Sequence, residues 1–442
     1  ADRFINKNYL INLQERGVVP LDDREKVTNA IRLYQVSKLV YDAKENINDK
    51  LISVYSALQD IGGTALLIID SDGSRVSYYI GTRTPENAAT AGKILQKSFM
   101  GNFPGSTLSN LKNSEIAQVM SRITESDYVN TCRNVAEVTV VPSMRDEDKD
   151  KFVQGIEKFI DTMQNETYTA VFIAQPVSKA ELESKKRGYE ELYSALSPFT
   201  KTNLSYGENY SKAVSKGMFE NFSHSVNNSL TNTAGTNTSQ SQSYTSGHNS
   251  GGGISGGGFS SSWGSSESTT SGYSSGKSWS QAVTSGTADT TGSGTSTNES
   301  ETTGNSRTLS IEYQNKSVEV ILENIEKQLE RIKMCEAFGL WNCAGYFVAD
   351  DIQTAVVAAN TYKALMLGDE TYVDNSFVNV WGLKNPEMTE QVLEYIRYGI
   401  QPVIPIRPEA GFAALSVTPG NYISGKELPL MMGIPHKSVT GL

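Results

Sequence analysis

The residues whose types and spacing come nearest to chemistry are Gly272-Tyr273-Ser274-Ser275-Gly276-Lys277-Ser278, a string close to the loop that cradles nucleotide phosphates with backbone N–H groups and a lysine. That loop needs its first glycine one position earlier, where Ser271 stands. No buried strand precedes the string, and no apolar strand ending in a magnesium-binding acid follows it. A tract of Ser and Gly produces such strings by composition, so no nucleotide site is expected there. His224, His248 and His436 are the only histidines, two of them in or beside the same polar tract, which leaves a histidine base or a His/Cys metal cluster few members. Cys335 and Cys343 stand eight positions apart and Cys132 lies far from both in sequence, the pattern of buried, inert thiols. Serine is abundant, yet no Gly-x-Ser-x-Gly turn sits between a buried strand and a helix to make a nucleophile. Asp350-Asp351 reads as a helix cap, which needs one acceptor oxygen, and not as a metal site, which needs several. Trp341 and Trp381 sit in apolar sequence and read as core, whereas Trp263 and Trp279 lie in the polar tract and read as anchors of an assembly. No catalytic, cofactor-binding or metal-ligating residue is assigned, and no cofactor is expected in this chain.

The elements that would position any site are α+β in type. With 442 residues, two or three bodies are expected at roughly 100–200 residues per domain. The formal charge of −10 argues against a chain-wide electrostatic grip on nucleic acid. Three cysteines are an odd count, typical of reduced thiols and a cytoplasmic setting. No signal peptide opens the sequence, no apolar run approaches the roughly 18–20 residues that span a bilayer, and membrane contact is not expected. The first Ala and the Gly441-Leu442 end read as trimmed termini.

Along the chain, Asp22–Asp60 carries apolar residues at helical spacing: Val27, Ile31, Tyr34, Val40, Ile47, Leu51, Val54 and Leu58. Thr64–Ile69 and Arg75–Ile80 are β-rich and flank Asp70-Ser71-Asp72-Gly73, a hairpin turn. Helices are expected at Glu86–Met100, over the stripe Phe152, Ile156, Phe159, Ile160 and Met163, and at Ala180–Leu196; strands are expected at Val135–Val141 and Thr167–Ala174. From about Ser205 to Ser306 the chain is Ser, Gly, Thr and Asn, too polar to offset its ordering entropy alone, although Phe219, Phe222, Val226 and Leu230 still read as helical. Beyond it, Val318, Ile321, Leu322, Ile325, Leu329 and Ile332 form the cleanest amphipathic helix. Gly345–Ala349 and Ser376–Trp381 read as strands, a helix capped by Asp350 or Asp351 runs to Leu367 with Gly368 as its left-handed end, and Pro386–Arg397 is a helix.

The expected architecture is therefore a mixed or ferredoxin-like sheet with packed helices, interrupted by a long Ser/Gly/Thr-rich insertion. Its parts are an N-terminal α+β unit over 1–134, an α/β body from 135–204 and 308–400, the insertion or arm at 205–307, and an extended Pro/Gly-rich linker at 401–442. The strands at Thr167–Ala174 and Gly345–Ala349 are expected in one sheet, with the tract projecting between two helices.

Gln154–Asp161, Tyr168–Ala174, Glu330-Arg331-Ile332 with Gly339–Phe347, and Leu428–Val439 carry a family likeness. These stretches resemble the non-motor N-terminal region of bacterial HerA/FtsK-like ATPases, the conjugation-type enzymes among them, and the last is similar to the link that leads into their motor. The resemblance implies a homo-oligomeric, hexameric ring that moves a polymer, DNA or protein, with ATP and magnesium held by a motor beyond Leu442. The family's phosphate loop, magnesium carboxylate and arginine finger have no matching positions here. A second reading is a structural assembly protein whose Ser/Gly/Thr hairpins, turning near Gly251–Phe259, pair between subunits into a β-barrel or fibre; a membrane pore lacks the outward apolar band it needs. Because the flanking apolar stripes do not depend on the tract, deleting Thr231–Asn305 is expected to leave both flanks folded by circular dichroism and calorimetry, and aggregation of the deletion would contradict this.

Overall fold

Asp72 sets the first reversal of the chain. Its Oδ1 accepts from the backbone N–H groups of Ser74 (2.9 Å) and Arg75 (2.7 Å) while Gly73 adopts φ 87°, and these bonds, that from Arg75 first, hold its carboxyl down to about 2. In the computed structural model, which describes residues 7–40, 46–126, 133–143, 155–205, 295–302, 306–368, 375–406 and 415–435, this turn joins two neighbouring strands. The strands are β1 (Ile31–Lys38), β2 (Thr64–Asp72), β3 (Val76–Arg83), β4 (Thr107–Asn110), β5 (Asn134–Thr139), β6 (Thr167–Pro176), β7 (Lys201–Ser205), β8 (Thr295–Thr302), β9 (Ser306–Gln314), β10 (Leu340–Ala349), β11 (Phe377–Trp381), β12 (Ile404–Ile406), β13 (Leu415–Val417) and β14 (Asn421–Ser424). The α-helices are α1 (Ile47–Gln59), α2 (Ala88–Asn102), α3 (Asn113–Ser121), α4 (Ile156–Thr162), α5 (Lys179–Leu196), α6 (Lys316–Phe338), α7 (Ile352–Met366), α8 (Pro386–Arg397) and α9 (Leu428–Met431).

Nine strands make one antiparallel sheet in the order β11-β5-β10-β6-β2-β3-β1-β4, with β14 on the first residues of β10. Side chains alternate along each strand, so each face of the sheet buries its own core. Ala170, Phe172 and Ala174 of β6 join Trp341, Cys343 and Phe347 of β10 under α1, α2, α4, α7 and α9. Val171 and Ile173 join Ala344, Tyr346 and Val348 on the other face under α3, α8 and Leu10–Leu21. The α+β expectation holds, and the sheet is antiparallel throughout, as helices lie over its faces without βαβ crossovers between adjacent parallel strands.

Three expectations need correction. Asp22–Asp60 is not one helical run, because β1 occupies Ile31–Lys38 and α1 begins only at Ile47. A strand buried on both faces places Ile31 and Leu33 in one core and Tyr34 and Val36 in the other, and the resulting spacing imitates a helix. The sheet also runs through the boundary expected at 134, since β2 pairs with β6 from Ala65↔Ala174 to Asp72↔Thr167. The described part of 401–442 is no extended linker: Ile404, Ile423, Leu428, Met431, Met432 and Ile434 are buried. Gln401 feeds the irregular backbone there, donating from Nε2 to Asn342 O (2.8 Å) and Ile173 O (3.2 Å) and accepting from Gly420 N (3.0 Å).

The chain divides into two compact units, one holding Glu183–Glu330 and the other Asn6–Leu182 with Arg331–Leu442. The division falls inside α5 and inside α6. In the first unit Leu192 and Leu196 of α5 pack on Val318, Leu322 and Ile325 of α6. A three-stranded antiparallel ladder, β7-β9-β8, carries the described ends of the Ser/Gly/Thr tract, with Lys201 opposite Gln314 and Thr295 opposite Tyr313. The helical stripe expected at Phe219–Leu230 and the turn at Gly251–Phe259 lie outside the described residues.

Phe172 is the hub of the first core, 5.8 Å from the Phe347 ring and 5.0 Å from that of Tyr362. Phe172→Ala is expected to cost about 3–5 kcal/mol in urea denaturation, in one transition reported alike by probes on β3 and β11. Separate transitions for the two halves would show that the sheet is not one cooperative body.

Candidate functional site

Among the described residues, those weighed for chemistry do not converge. The string 272–278, the three histidines, Cys132, Trp263 and Trp279 lie outside the described residues. Cys343 is fully buried and its thiol is pushed up by that burial; Cys335 is pushed up to about 12 by burial first and by nearby Glu427 second. Neither supplies a thiolate near neutral pH. Asp351 is the cap of α7, its Oδ2 accepting from Thr354 N at 3.1 Å, and the helix ends at Leu367 in extended backbone. Asp350 instead pairs with buried Arg133, Oδ1 to Nε at 3.5 Å. Trp341 and Trp381 are core. Among the described residues no group of three or more His, Cys, Asp or Glu side chains is placed to hold a metal, and no helix is long and apolar enough to cross a membrane.

What converges instead, among the described residues, is a group of the stretches singled out in the sequence. Phe159 of α4 lies 5.3 Å from Phe347 of β10, β10 pairs with β6, and Arg331 of α6 reaches the closing segment, its Nη2 donating to Tyr422 O and Glu427 Oε2, both at 3.1 Å. Beyond that contact the closing segment is held at Met431-Met432-Gly433. Three tyrosines from three elements donate to its three successive carbonyls: Tyr362 of α7 to Met431 O (2.8 Å), Tyr55 of α1 to Met432 O (2.5 Å), and Tyr78 of β3 to Gly433 O.

Local structure prepares this clamp. Ser424 and Glu427 bracket the turn into α9, Ser424 N donating to Glu427 Oε2 (2.6 Å) and Glu427 N to Ser424 Oγ (3.3 Å). A β-carbon on Gly433 would stand 2.7 Å from Pro429 O, so only glycine lets the chain fold back this tightly. Burial drives all three phenols above their ordinary range, so each hydroxyl keeps its proton and remains a donor. The arrangement has no reacting atom to offer; it fixes one segment of backbone to two helices and a strand. Sequence reading missed it because each tyrosine sits inside an apolar stripe and reads as core. The usable signal was the phenol itself, a polar tip that must find an acceptor when buried.

Tyr362→Phe is expected to leave Met431 O buried without a donor, costing about 1–3 kcal/mol, and to raise hydrogen exchange across 428–435 more than across β2. Uniform loss of protection would show that the hydroxyl serves general packing only. Compared with family models and with curated proteins, the chain matches none.

Proposed function

We propose that the chain is a non-catalytic oligomerisation and substrate-docking region of a ring-forming, HerA/FtsK-like ATP-driven translocase working in the cytoplasm. One observation carries the reading: the segment that resembles the link into such a motor is bolted to the core by Tyr55, Tyr78 and Tyr362 at three consecutive carbonyls. A motor that pulls a polymer needs an anchor that does not yield. Hydrogen bonds from three separate elements resist a pull in any direction better than three from one helix, because no single element can peel away with all of them. In this reading ATP and magnesium belong to a motor following Leu442, the region acts as a homo-oligomer, hexameric by resemblance, and the cargo is DNA or a protein polymer.

A second reading rests on the ladder β7-β9-β8. Its outer strands β7 and β8 each have one edge without a partner strand among the described residues, and β8 is Thr-Ser-Thr-Asn-Glu-Ser-Glu-Thr. Such edges invite pairing with another copy, as in an assembly protein whose hairpins build an inter-subunit barrel or fibre.

The coding sequence past Leu442 and its product separate the two. The translocase reading expects a Gly-x4-Gly-Lys-Ser/Thr loop downstream and, for the whole product, ATP hydrolysis by a particle of ring mass in native mass spectrometry. A product without that loop that assembles into particles or fibres without nucleotide would overturn it in favour of the second reading.

A further inference from the structure

Glu137 is a buried carboxyl inside the nine-stranded sheet. It sits on β5 directly between Asn379 of β11 and Tyr346 of β10, its side chain fully buried on the face opposite the tyrosine clamp. The distances around it count protons. Pro419 O can only accept, so Thr139 Oγ1, 2.6 Å away, gives that carbonyl its single hydrogen. The same hydroxyl oxygen lies 2.8 Å from Glu137 Oε1. With its hydrogen already placed, Thr139 can only accept there, and the hydrogen in that contact must sit on Glu137.

The other oxygen agrees. Leu13 N can only donate, at 3.0 Å to Asn379 Oδ1, which fixes the orientation of that amide. Asn379 Nδ2 then spends its two hydrogens on Leu10 O (3.1 Å) and Glu137 Oε2 (2.9 Å). Each named group is satisfied only if the carboxyl is protonated at Oε1. We propose that Glu137 is a proton-binding site, a neutral carboxylic acid whose hydrogen starts the relay Glu137→Thr139→Pro419 O and so latches the 419–421 turn, β11 and residues 10–13 to one another through the sheet. Loss of that proton leaves Thr139 one hydrogen for two buried acceptors, the new carboxylate and the Pro419 carbonyl, and one of them goes without.

Burial pushes the carboxyl up to about 8, against the bond it accepts from Asn379. The titratable group facing it across the sheet is Tyr346, whose phenol is raised by its own burial and then by Glu137; the ammonium of Lys7 donates to Asn421 Oδ1 on the neighbouring turn. Asn379 and the Pro419–Asn421 turn present no titratable side chain. Because the folded value lies above the unfolded 4.5, the folded chain holds this proton where the unfolded chain has released it. The stabilisation is complete below about 4.5, is lost as pH rises toward about 8, and changes no further above that.

Thermal melts of the full chain and of Glu137→Gln across pH 5 to 9 test this. Glutamine keeps the relay at every pH, its amide donating to Thr139 and accepting from Asn379. The melting temperature of the unsubstituted chain is expected to fall relative to that of the variant by about 5 °C or more up to pH 8, then to run parallel. A difference that stays constant from pH 5 to 9 would overturn the proposal. Should the variant fail to fold, infrared spectra of the unsubstituted chain decide: the C=O band of a buried protonated carboxyl is expected at pH 7 and lost above pH 9, and its absence at pH 7 would overturn the assignment.

Discussion

The ladder between β6 and β10 is the constraint on which the rest of the molecule depends. Eight residue pairs, Trp341↔Pro176 to Val348↔Thr169, bring together two parts of the chain separated by the whole Ser/Gly/Thr tract. Closing so long a loop costs little more than closing a short one, since each doubling of length adds only about 0.6 kcal/mol. In return β10 buries all ten of its residues, and β5 and β14 gain the edge they pair with. A tract of that length is tolerated because the closure sets the register of the central sheet and the tract's own residues need contribute nothing to it.

Much of this was legible where local chemistry and tertiary packing agree. The hairpin at Asp70–Gly73, the strands at 135–141, 167–174 and 376–381 and the helix Pro386–Arg397 follow from turn residues, apolar runs and a proline at a helix start, and the expected meeting of the strands at 167–174 and 345–349 is the ladder itself. Legibility failed where burial came from both sides. In β1 the two-faced burial produced helical spacing. In Val-Ala-Glu-Val-Thr nothing local marks the acid as buried, and only pairing with both β10 and β11, under the N-terminal segment, encloses it. The end of the chain was misread for a related reason: proline and glycine announce irregular backbone but say nothing about whether side chains elsewhere will satisfy it.

That last problem recurs across the fold and is solved each time by a polar side chain inside an apolar surface. Asn379 serves the backbone of Leu10 and Leu13, Gln401 that of Ile173, Asn342 and Gly420, and the three tyrosines that of residues 431–433. Irregular segments can lie against a sheet only when such groups replace the hydrogen bonds that water would otherwise make. Each solution is specific to one register, so these side chains select a single placement as well as permitting burial.

The tyrosine clamp and the Glu137 relay grip one stretch of chain from opposite faces of the sheet. Pro419 is held on the face of Glu137, β14 then joins β10 through Leu340↔Ser424 to Cys343↔Asn421, and Met431–Gly433 is held on the face of the tyrosines. The two differ in kind. Tyrosine hydroxyls whose protons are secured by burial give a bond that pH does not alter in the physiological range, while a carboxyl raised to about 8 gives one that it does. Since β14 couples the two ends through backbone pairing, loss of the Glu137 proton loosens the start of the stretch while its end stays fixed. The bond that pH alters therefore acts at the start of the stretch, and the bonds that it does not alter act at its end.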